Sequence, residues 1–582
     1  MTSTESEISS NSNEIEVQGD KMFPSFTQCR PISHPTDIEE CLKDPPEWVN
    51  RVMPLKKRSG YVIKNVVSDC HRIEGQIRER TDCRTVPKTL VCHDYKGGYL
   101  GDSYVPFEGS EDKTLVSDGY PFYNWSQIDY FVYFSHHFIT IPPLAWTNTG
   151  HKNGVKVLGT IITENLDGVK ICDDIIFASE GVMKEFVYQL TDIQRIFGFD
   201  GWLLNIENPV KNPFILKHFV NLLTQRSHEQ NSESVVIWYD SVTKDGLLKW
   251  QDQLNEENRC YFDGCDGIFL NYGWNEEKLK TSLKNAGTRA FDVFVGIDVF
   301  GRNMFGGGQF TTFKATQAVR KYNLSMAIFA PGWTHETMDK ERTAVNSFST
   351  FLNRDDTLWA SLWPYLYTHP INEFFQTDFH LGLDSNYYNL YNQNRQISKI
   401  LTPQHWQDLP SELPIATFNT SDCLKRAFFE SRNVCLITSE GLQGGNVQFK
   451  HRLFSCDLKL QGRIGVFYLI RHKDDSDLEV QLVTCGNSGS IKTIKLLSSK
   501  KELLRNNSSV LEVNYLDDSS IKYLPVFNSM AKRHLRILNS YRGSVSLRMF
   551  EFYTTSCDLL DIEATLVSGL SVLLLEFGIF QL

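Results

Sequence analysis

The sequence predicts an α/β chain that consists of a (β/α)8 TIM barrel followed by a β-sandwich domain. Three observations predict this fold. From about residue 128, apolar runs of strand length alternate with segments of helical spacing, and nearly every run ends in polar or aromatic residues. From about residue 384 the runs become short and alternating, with Gly, Asn and Asp between them, as in antiparallel strands. The fold alternative for the first part is an open doubly wound sheet.

The length and texture of the chain suggest four parts. With 582 residues the chain is too long for one core. Residues 1–55 are polar and acidic, and we expect them to be disordered. Residues 56–383 form the expected barrel with an N-terminal extension, residues 384–555 the β-sandwich, and residues 556–582 a hydrophobic C-terminal tail.

Eight runs are candidates for the barrel strands. Their near-continuous apolar character suits strands that are covered on both faces. The candidates are residues 128–137, 155–164, 201–208, 234–241, 267–274, 293–301, 326–333 and 373–382. The segments between them, such as "FVYQLTDIQRIFG", repeat apolar residues at helical spacing.

Polar or aromatic side chains stand at the ends of these runs. They are His136, His137, Thr163, Glu164, Asn205, Glu207, Tyr239, Asp240, Asn271, Tyr272, Trp274, Asp298, Trp333, Asp378 and His380. Active sites of (β/α)8 barrels lie at the C-terminal ends of the strands. The pattern therefore predicts one cleft in which these side chains meet.

Composition narrows the class of partner. A net charge of -11 without a basic stripe argues against nucleic acid. The 38 Phe, 23 Tyr and 11 Trp suit a cleft that packs sugar rings, although most such rings are expected in the core. Thirteen Cys without a CxxC pair favour a reducing compartment over a disulfide framework or a zinc site.

Two terminal segments bear on localisation. The N-terminus lacks the basic and apolar regions of a signal peptide. Residues 566–582 are almost wholly apolar, but they contain Glu576 and are shorter than the roughly 20 residues of a spanning helix. We therefore favour a buried strand or helix, or a variant chain end, over a membrane anchor.

The stretch "FGFDGWLLNIENP" contains the central pair of candidate residues. Strand alternation places Asn205 and Glu207 on one face and Leu204 and Ile206 on the other. At the C-terminal end of a barrel strand, the polar face points into the cleft. The alternative is that both groups satisfy buried backbone atoms.

This pair suits one kind of glycosidase chemistry. A Glu can protonate a leaving oxygen and then deprotonate a water molecule. An amide cannot be the second carboxylate that attacks the sugar in most retaining glycosidases. It can instead orient a 2-acetamido group whose own carbonyl oxygen attacks the anomeric carbon, so that the substrate supplies the nucleophile.

Several separated motifs carry a resemblance to a known family. "FDGWLLNIEN", "VVIWYDS", "LKWQDQLN", "VFVGIDVFGR" and "FAPGWTHE" occur in order between about residues 85 and 385. The chain resembles endo-β-N-acetylglucosaminidases of glycoside hydrolase family 85. The resemblance implies cleavage of the N,N′-diacetylchitobiose core of N-glycans on glycoproteins and of free oligosaccharides in the cytosol. It further implies retention through an oxazoline, with no metal and no cofactor.

The resemblance also assigns roles to residues. Glu207 matches the acid/base, Asn205 the residue that orients the acetamido group, and Tyr239 a tyrosine that binds near it. Trp250 matches an aromatic on the acceptor side, and Asp240 is expected to support its neighbours. Further substrate-binding candidates are Tyr272, Trp274, Trp333, Asp298, His93 and Asp94.

Two other functions stay open from the sequence. Chitinases of family 18 share a D-G-x-x-x-D-x-E strand motif, whereas this chain has Asn205 in place of the second Asp. A barrel that has lost catalysis and only binds glycans is the other alternative. Retention of Glu207 argues against this lectin function.

Overall fold

The structure is a computed structural model of the chain. It describes residues 28–65, 78–103, 120–338, 344–379, 427–431, 434–438, 450–472, 475–499, 509–540, 544–569 and 571–582. Of residues 1–55, which were expected to be disordered, residues 1–27 lie outside this range, as does His380.

The β-strands belong to three sheets. In chain order they are β1 (Tyr61–Lys64), β2 (Arg80–Asp82), β3 (Thr89–Asp94), β4 (Tyr130–Phe134), β5 (Ile139–Thr140), β6 (Lys156–Glu164), β7 (Gly201–Glu207), β8 (Val235–Tyr239), β9 (Gly267–Leu270), β10 (Val293–Asp298), β11 (Ser325–Phe329), β12 (Tyr367–Thr368), β13 (Phe375–Thr377), β14 (Ala427–Ser431), β15 (Val434–Thr438), β16 (Lys450–His472), β17 (Asp477–Gly486), β18 (Ile491–Leu496), β19 (Val510–Val513), β20 (Val545–Ser568) and β21 (Ser571–Gln581).

The α-helices lie mainly between the strands of the first large sheet. They are α1 (Ile38–Lys43), α2 (Leu144–Lys152), α3 (Asn165–Lys170), α4 (Glu180–Phe197), α5 (Pro213–Gln230), α6 (Arg259–Phe262), α7 (Glu276–Ala286), α8 (Phe313–Lys321), α9 (Trp333–Glu336), α10 (Ala344–Leu362), α11 (Asp518–Ile521) and α12 (Pro525–Ser540). No helix among the described residues is long and apolar enough to cross a membrane.

A closed ring of parallel strands forms the first large sheet. Its order is β4, β3, β11, β10, β9, β8, β7 and β6, and the pairing of β4 with β6 closes the ring. The short β5 is added antiparallel to β6. The expected (β/α)8 barrel is confirmed, and the alternative of an open sheet is wrong because the ring has no free edge.

The first and last barrel strands differ from the expected ones. The ring begins with β3, whose residues "TLVCHD" were not among the candidate runs. The expected eighth strand, residues 373–382, is wrong as a barrel strand, because β13 in that run pairs antiparallel with β21 of another sheet. There Phe375 packs against Phe454 and Phe577, with ring centroids 4.8 and 5.9 Å apart.

Helix α4 shows how local sequence sets the outer layer. The Ser179 hydroxyl accepts a hydrogen bond from the backbone N–H of Val182 at the helix start. Gly198 ends the helix with a φ of 69°, a left-handed conformation that glycine adopts without strain. Between these ends, buried residues such as Phe186 and Leu190 face the barrel.

Residues 28–55 are folded onto the barrel, which corrects the expectation of disorder for this part. Isolated apolar side chains among the polar ones provide the contact. Ile38 and Trp48 are buried, and the Trp48 ring lies 5.5 Å from that of Phe197 at the end of α4. Ile32 forms a β-bridge with Ile139.

The C-terminal β-strands form a separate sheet domain, as expected. The sheet has the order β14, β15, β21, β16, β20, β17, β18 and β19, with β13 beside β21. Strand β21 is built from the apolar tail, and it is paired on both sides by β15 and β16. The expected tail of residues 556–582 is therefore not a separate segment, because it forms the second half of β20 and the internal strand β21 of this sheet.

Glu576 interrupts the apolar pattern of β21 for a structural reason. Its side chain is 1% exposed and lies 2.7 Å from Nε2 of His534 on α12, which is 0% exposed. Gln376 on β13 also donates a hydrogen bond to it. Glu576 thus joins the helix and the strand β13 to the centre of the sheet.

We predict that Glu576→Ala lowers the free energy of unfolding by about 3 kcal/mol, because it leaves the buried imidazole of His534 without its acceptor. Urea unfolding of the full chain measures the loss. The control is Glu551→Ala, which breaks a partly exposed pair with Arg463 on the same sheet. This control should cost about 1 kcal/mol or less. Equal losses in both variants would contradict the role of Glu576.

Candidate active site

An open cleft of about 300 Å³ lies at the C-terminal ends of the barrel strands. Its lining combines carboxylates, amides and aromatic rings. The lining residues are Cys92, Asp94, Phe134, His136, Glu164, Leu203, Asn205, Glu207, Tyr239, Trp250, Phe269, Asn271, Tyr272, Asp298, Arg302 and Phe329.

Strand β7 places Asn205 and Glu207 side by side in this cleft. Leu203, Asn205 and Glu207 face inward, and Leu204 and Ile206 are buried in the core outside the ring. The amide of Asn205 is 4% exposed. In the pairing with β6, Asn205 lies opposite Ile162, and Glu207 lies opposite Glu164.

The environment of Glu207 favours its protonated form. Burial is the main cause that raises the pKa of its carboxyl, and the negative charge of Glu164 adds to this effect. Hydrogen bonding from the side chains of Asn205 and Trp250, together with His136, acts in the opposite direction. The net rise suits a group that must give up a proton near neutral pH.

Tyr239 at the end of β8 is fixed by a chain of hydrogen bonds. Its hydroxyl donates to Oδ1 of Asn271 at 2.8 Å. The Asn271 amide donates to Asp252 at 2.6 Å, and Asp252 forms a 2.7 Å ion pair with Lys278. Burial raises the pKa of Tyr239 well above its usual value, so the hydroxyl stays neutral.

Asp240 lies next to Tyr239, behind the wall of the cleft. It is 1% exposed and accepts hydrogen bonds from the backbone N–H of Gln251 and of Asp252, the latter at 2.7 Å. The Asn258 amide donates to it at 2.8 Å. Asp240 therefore holds the loop that carries Trp250, which agrees with the supporting role expected from the sequence.

Trp250 reaches the cleft from this loop. It is 42% exposed, an unusual exposure for an indole, and it lines the cleft beside Glu207. An exposed aromatic face next to a carboxyl group offers a packing surface for the apolar face of a sugar ring.

The opposite wall contains further expected residues. Asp94 lines it and accepts a hydrogen bond from the backbone N–H of Gly97 at 3.0 Å. Asp298 is 1% exposed and pairs with Arg302 at 2.8 Å. The Tyr272 ring completes this wall beside Phe329, with centroids 5.8 Å apart.

Three expected substrate-binding residues lie outside the cleft lining. His93 is 1% exposed and points outward on β3, because strand alternation turns Asp94 inward. It packs among aromatic rings such as Trp146, at 4.9 Å, and burial lowers the pKa of His93 to about 3. These contacts correct the assignment of His93 to substrate binding.

Trp274 and Trp333 are also packed in the protein. Trp274 is 3% exposed, donates its indole N–H to the Gly296 carbonyl at 2.7 Å and stacks on Phe305. Trp333 is 6% exposed and lies against Phe310 and the Arg354 guanidinium. Both indole rings pack in the core and do not face the cleft, so their assignment to substrate binding is corrected as well.

Besides Cys92 and four apolar side chains, the cleft contains four polar residues that the sequence analysis did not select as site residues: His136, Glu164, Asn271 and Arg302. Three of them were visible as polar strand ends. In "VFVGIDVFGR", Arg302 lies four residues after Asp298, and the two side chains form an ion pair in the structure. The sequence offered the positions but no sign of which strand ends would touch.

The described residues contain no group of three or more His, Cys, Asp or Glu side chains that could hold a metal ion. Ten of the cysteines in the described part of the chain are free thiols. The cleft presents carboxyl, amide, hydroxyl and indole groups.

Comparison with known proteins supports the resemblance found in the motifs. The model of Glycosyl hydrolase family 85 matches residues 107–387. The cytosolic endo-beta-N-acetylglucosaminidase of Homo sapiens is 39% identical over 415 residues, which are 69% of this chain and 54% of that protein. Cytosolic endo-beta-N-acetylglucosaminidase 2 of Arabidopsis thaliana is 37% identical over 457 residues, 74% of this chain and 63% of that protein.

The resemblance of the barrel region to family 85 is thereby confirmed. The chain spans between about half and two thirds of the length of these relatives. Among solved structures, the crystal structure of the glycoside hydrolase domain of Endo-D from Streptococcus pneumoniae R6 has a similar fold. Its TM-score is 0.62 at 14% identity, over 95% of this chain and 83% of that chain.

We predict that Asp240 makes the stability of the barrel depend on pH. Burial raises its pKa from 3.8 to about 7, so between these values the folded protein holds one more proton than the unfolded chain. This contribution to the free energy of unfolding is therefore complete at low pH and is lost as the pH rises towards neutrality. Asp240→Asn removes it, so the wild type loses stability relative to the variant between about pH 4 and about pH 7.

Urea unfolding of wild type and Asp240→Asn at a series of pH values measures this difference. Asp167→Asn is the control, since the side chain of Asp167 is 89% exposed. The wild type and this control should change in parallel. A constant difference between wild type and Asp240→Asn would contradict the prediction.

Proposed function

We propose that this chain is an endo-β-N-acetylglucosaminidase that hydrolyses the β-1,4 bond of the N,N′-diacetylchitobiose core of N-glycans. Its substrates are glycans on glycoproteins and free oligosaccharides, and its place of action is the cytosol, as the names of its relatives indicate for those proteins. The reaction is hydrolysis with retention, through an oxazoline intermediate.

The observation that carries this proposal is the pair of Asn205 and Glu207 in one open cleft. Both side chains line it, and the Asn205 amide stabilises the ionised form of Glu207. A carboxyl with a raised pKa beside a buried amide supplies a proton donor and an orienting group within reach of one sugar residue. The family match and the exposed Trp250 support a sugar as the ligand.

In the first step Glu207 gives its proton to the glycosidic oxygen. As the bond between this oxygen and the anomeric carbon breaks, the carbonyl oxygen of the substrate's own acetamido group forms a bond to that carbon. The Asn205 side chain lowers the pKa of Glu207, as its N–H group does when it faces the carboxylate, and in this orientation its amide oxygen accepts the acetamido N–H. Tyr239 donates to Asn271, so its hydroxyl oxygen also presents an acceptor to the cleft.

In the second step the ionised Glu207 removes a proton from water. The water oxygen attacks the anomeric carbon, the ring of the oxazoline, which has kept its N–H proton, opens, and the acetamido group is restored. Two displacements at one carbon give net retention. The first is intramolecular, so much of its entropic cost is already met by the substrate, which corresponds to an effective molarity on the order of 10⁵ M or more for a well-oriented group.

Glu164 is a second carboxylate in the same cleft, which raises the question of a two-carboxylate mechanism. Its carboxylate is bound to His136 at 3.3 Å, and Asn205 would have no direct role in such a mechanism. The Asn205 amide is only 4% exposed and lies beside the acid. A buried amide at this position is better explained by a substrate that carries an acetamido group for it to orient.

The test of the function is the cleavage of one labelled high-mannose glycopeptide. We expect wild type to release the glycan and Glu207→Gln to be slower by roughly 10²- to 10⁴-fold, because positioned proton transfer is lost. The control is Glu233→Gln, which changes a 73% exposed side chain just before β8, at the other end of the barrel.

Two outcomes would overturn the proposal. Binding of the glycopeptide without any cleavage by wild type would indicate the glycan-binding lectin. Breakdown of chitin without release of the glycan would indicate the chitinase-like hydrolase. Equal rates for wild type and Glu207→Gln would remove Glu207 from the reaction.

Asn205 is tested by separating the two steps. We predict that Asn205→Ala hydrolyses the natural glycan very poorly, yet accepts a synthetic sugar oxazoline as a donor for transfer to an acceptor. The oxazoline already contains the bond whose formation Asn205 assists, so the variant bypasses that step. Product analysis by mass spectrometry with both donors measures this, and equal loss on both donors would contradict the role.

A further inference from the structure

Glu164 is the nearest carboxylate to the proposed acid in the strand pairing. It is the last residue of β6 and lies opposite Glu207, the last residue of β7. In a parallel sheet, such neighbours point to the same side. Both line the cleft, and the side chain of Glu164 is 33% exposed.

His136 stands beside Glu164 and lies two residues after the end of β4, the next strand of the ring. Its Nδ1 lies 3.3 Å from Oε1 of Glu164. Its ring packs edge-on against Phe134 with centroids 5.5 Å apart, which limits the orientations that it can take. The hydrogen bond to Glu164 is the main cause that raises the pKa of His136.

Other titratable groups also face Glu207. Tyr239 from β8 and Tyr272 from the loop after β9 are neutral, because burial raises the pKa of both hydroxyls. Asp94 from β3 lines the same cleft, and its charge raises the pKa of His136. It is not one of the main causes of the pKa shift of Glu207. Asp298 on β10 and its partner Arg302 in the loop after β10 also line the cleft. Glu164 and His136 are the charged groups among the main causes of the shift of Glu207.

We infer that Glu164 and His136 are positioning residues that together set the proton affinity of Glu207. This inference rests on the proposed function, in which Glu207 is the acid. The negative charge of Glu164 disfavours a second negative charge on Glu207 and so raises the proton affinity of Glu207. His136, when charged, cancels part of this effect.

The effect of the pair on Glu207 depends on the charge of His136. While His136 is charged, it cancels part of the effect of Glu164, and when His136 is neutral, the full negative charge of Glu164 acts on Glu207. The hydrogen bond to Glu164 favours the charged form of His136. The three groups titrate as a coupled set, in which Glu164 raises the pKa of Glu207.

Two conservative variants should shift the pH profile in opposite directions. The basic limb of kcat/KM for glycopeptide cleavage reports the loss of the acid's proton. In Glu164→Gln a neighbouring negative charge is gone, so we expect this limb to move down by roughly one pH unit. In His136→Gln a positive charge is gone, so we expect the limb to move up.

The matched control is Asp167→Asn, which removes one negative charge three residues after Glu164 on the exposed surface of α3. Its basic limb should stay with that of wild type. A residue that only supports the fold would lower the rate without moving the limb. Unmoved limbs in both variants, or shifts of the same sign, would overturn the inference.

A readout without turnover separates this inference from the proposed function. The carbonyl band of a protonated carboxyl in infrared spectra, assigned to Glu207 by its loss in Glu207→Gln, is titrated in each variant. Its midpoint should fall in Glu164→Gln and rise in His136→Gln. If wild type cleaves no glycan but the midpoints move as stated, the proposed function is wrong and the inference about Glu164 and His136 is retained. If wild type cleaves the glycan and the midpoints do not move, the inference is wrong and the proposed function is retained.

Discussion

The alternation of side chains in a closed ring of strands is the constraint on which the rest of the structure depends. In β7 it forces Leu203, Asn205 and Glu207 to the inside and the residues between them to the outside. Closure of the ring by the pairing of β4 with β6 then brings the inner residues of all strand ends to one small opening. A polar pair that would be unremarkable on an open surface is thereby buried, fixed and aimed at one volume.

Burial of polar groups in the cleft has a cost and a use. Asn205, Tyr239 and Asp298 are each less than 7% exposed, so each needs a partner to offset the loss of water. Glu207 supplies one for Asn205, Asn271 one for Tyr239, and Arg302 one for Asp298. The same loss of water raises the pKa of Glu207, so the condition that makes the acid useful also requires the surrounding network.

Periodicity was sufficient for most of the fold and for the central pair. It found the barrel strands from β4 to β11 because their apolar runs are continuous, and it placed Asn205 and Glu207 on one face. It missed β3, since "TLVCHD" is short and runs into a glycine-rich loop. This omission led to the wrong role for His93, because alternation along β3 would have turned Asp94 inward and His93 outward.

The remaining errors have a different physical origin. Trp274 and Trp333 lie beyond the ends of β9 and β11, where the strand no longer fixes the direction of a side chain. The apolar run at residues 373–382 has the composition of a barrel strand, and only its partner β21 decides the sheet to which it belongs. Such long-range pairing is not encoded in the local pattern.

The loop after β8 connects the support of the cleft to its chemistry. The backbone N–H of Asp252 is held by Asp240, whereas its side chain binds Asn271, the acceptor of the Tyr239 hydroxyl. Asp252 adopts a φ of 57°, a left-handed conformation that is uncommon for a residue other than glycine and that these bonds maintain. Trp250, two residues earlier, is therefore positioned by the same atoms that position Tyr239. A change in the loop acts on the aromatic wall and on the hydroxyl together, so the two should be treated as one structural unit.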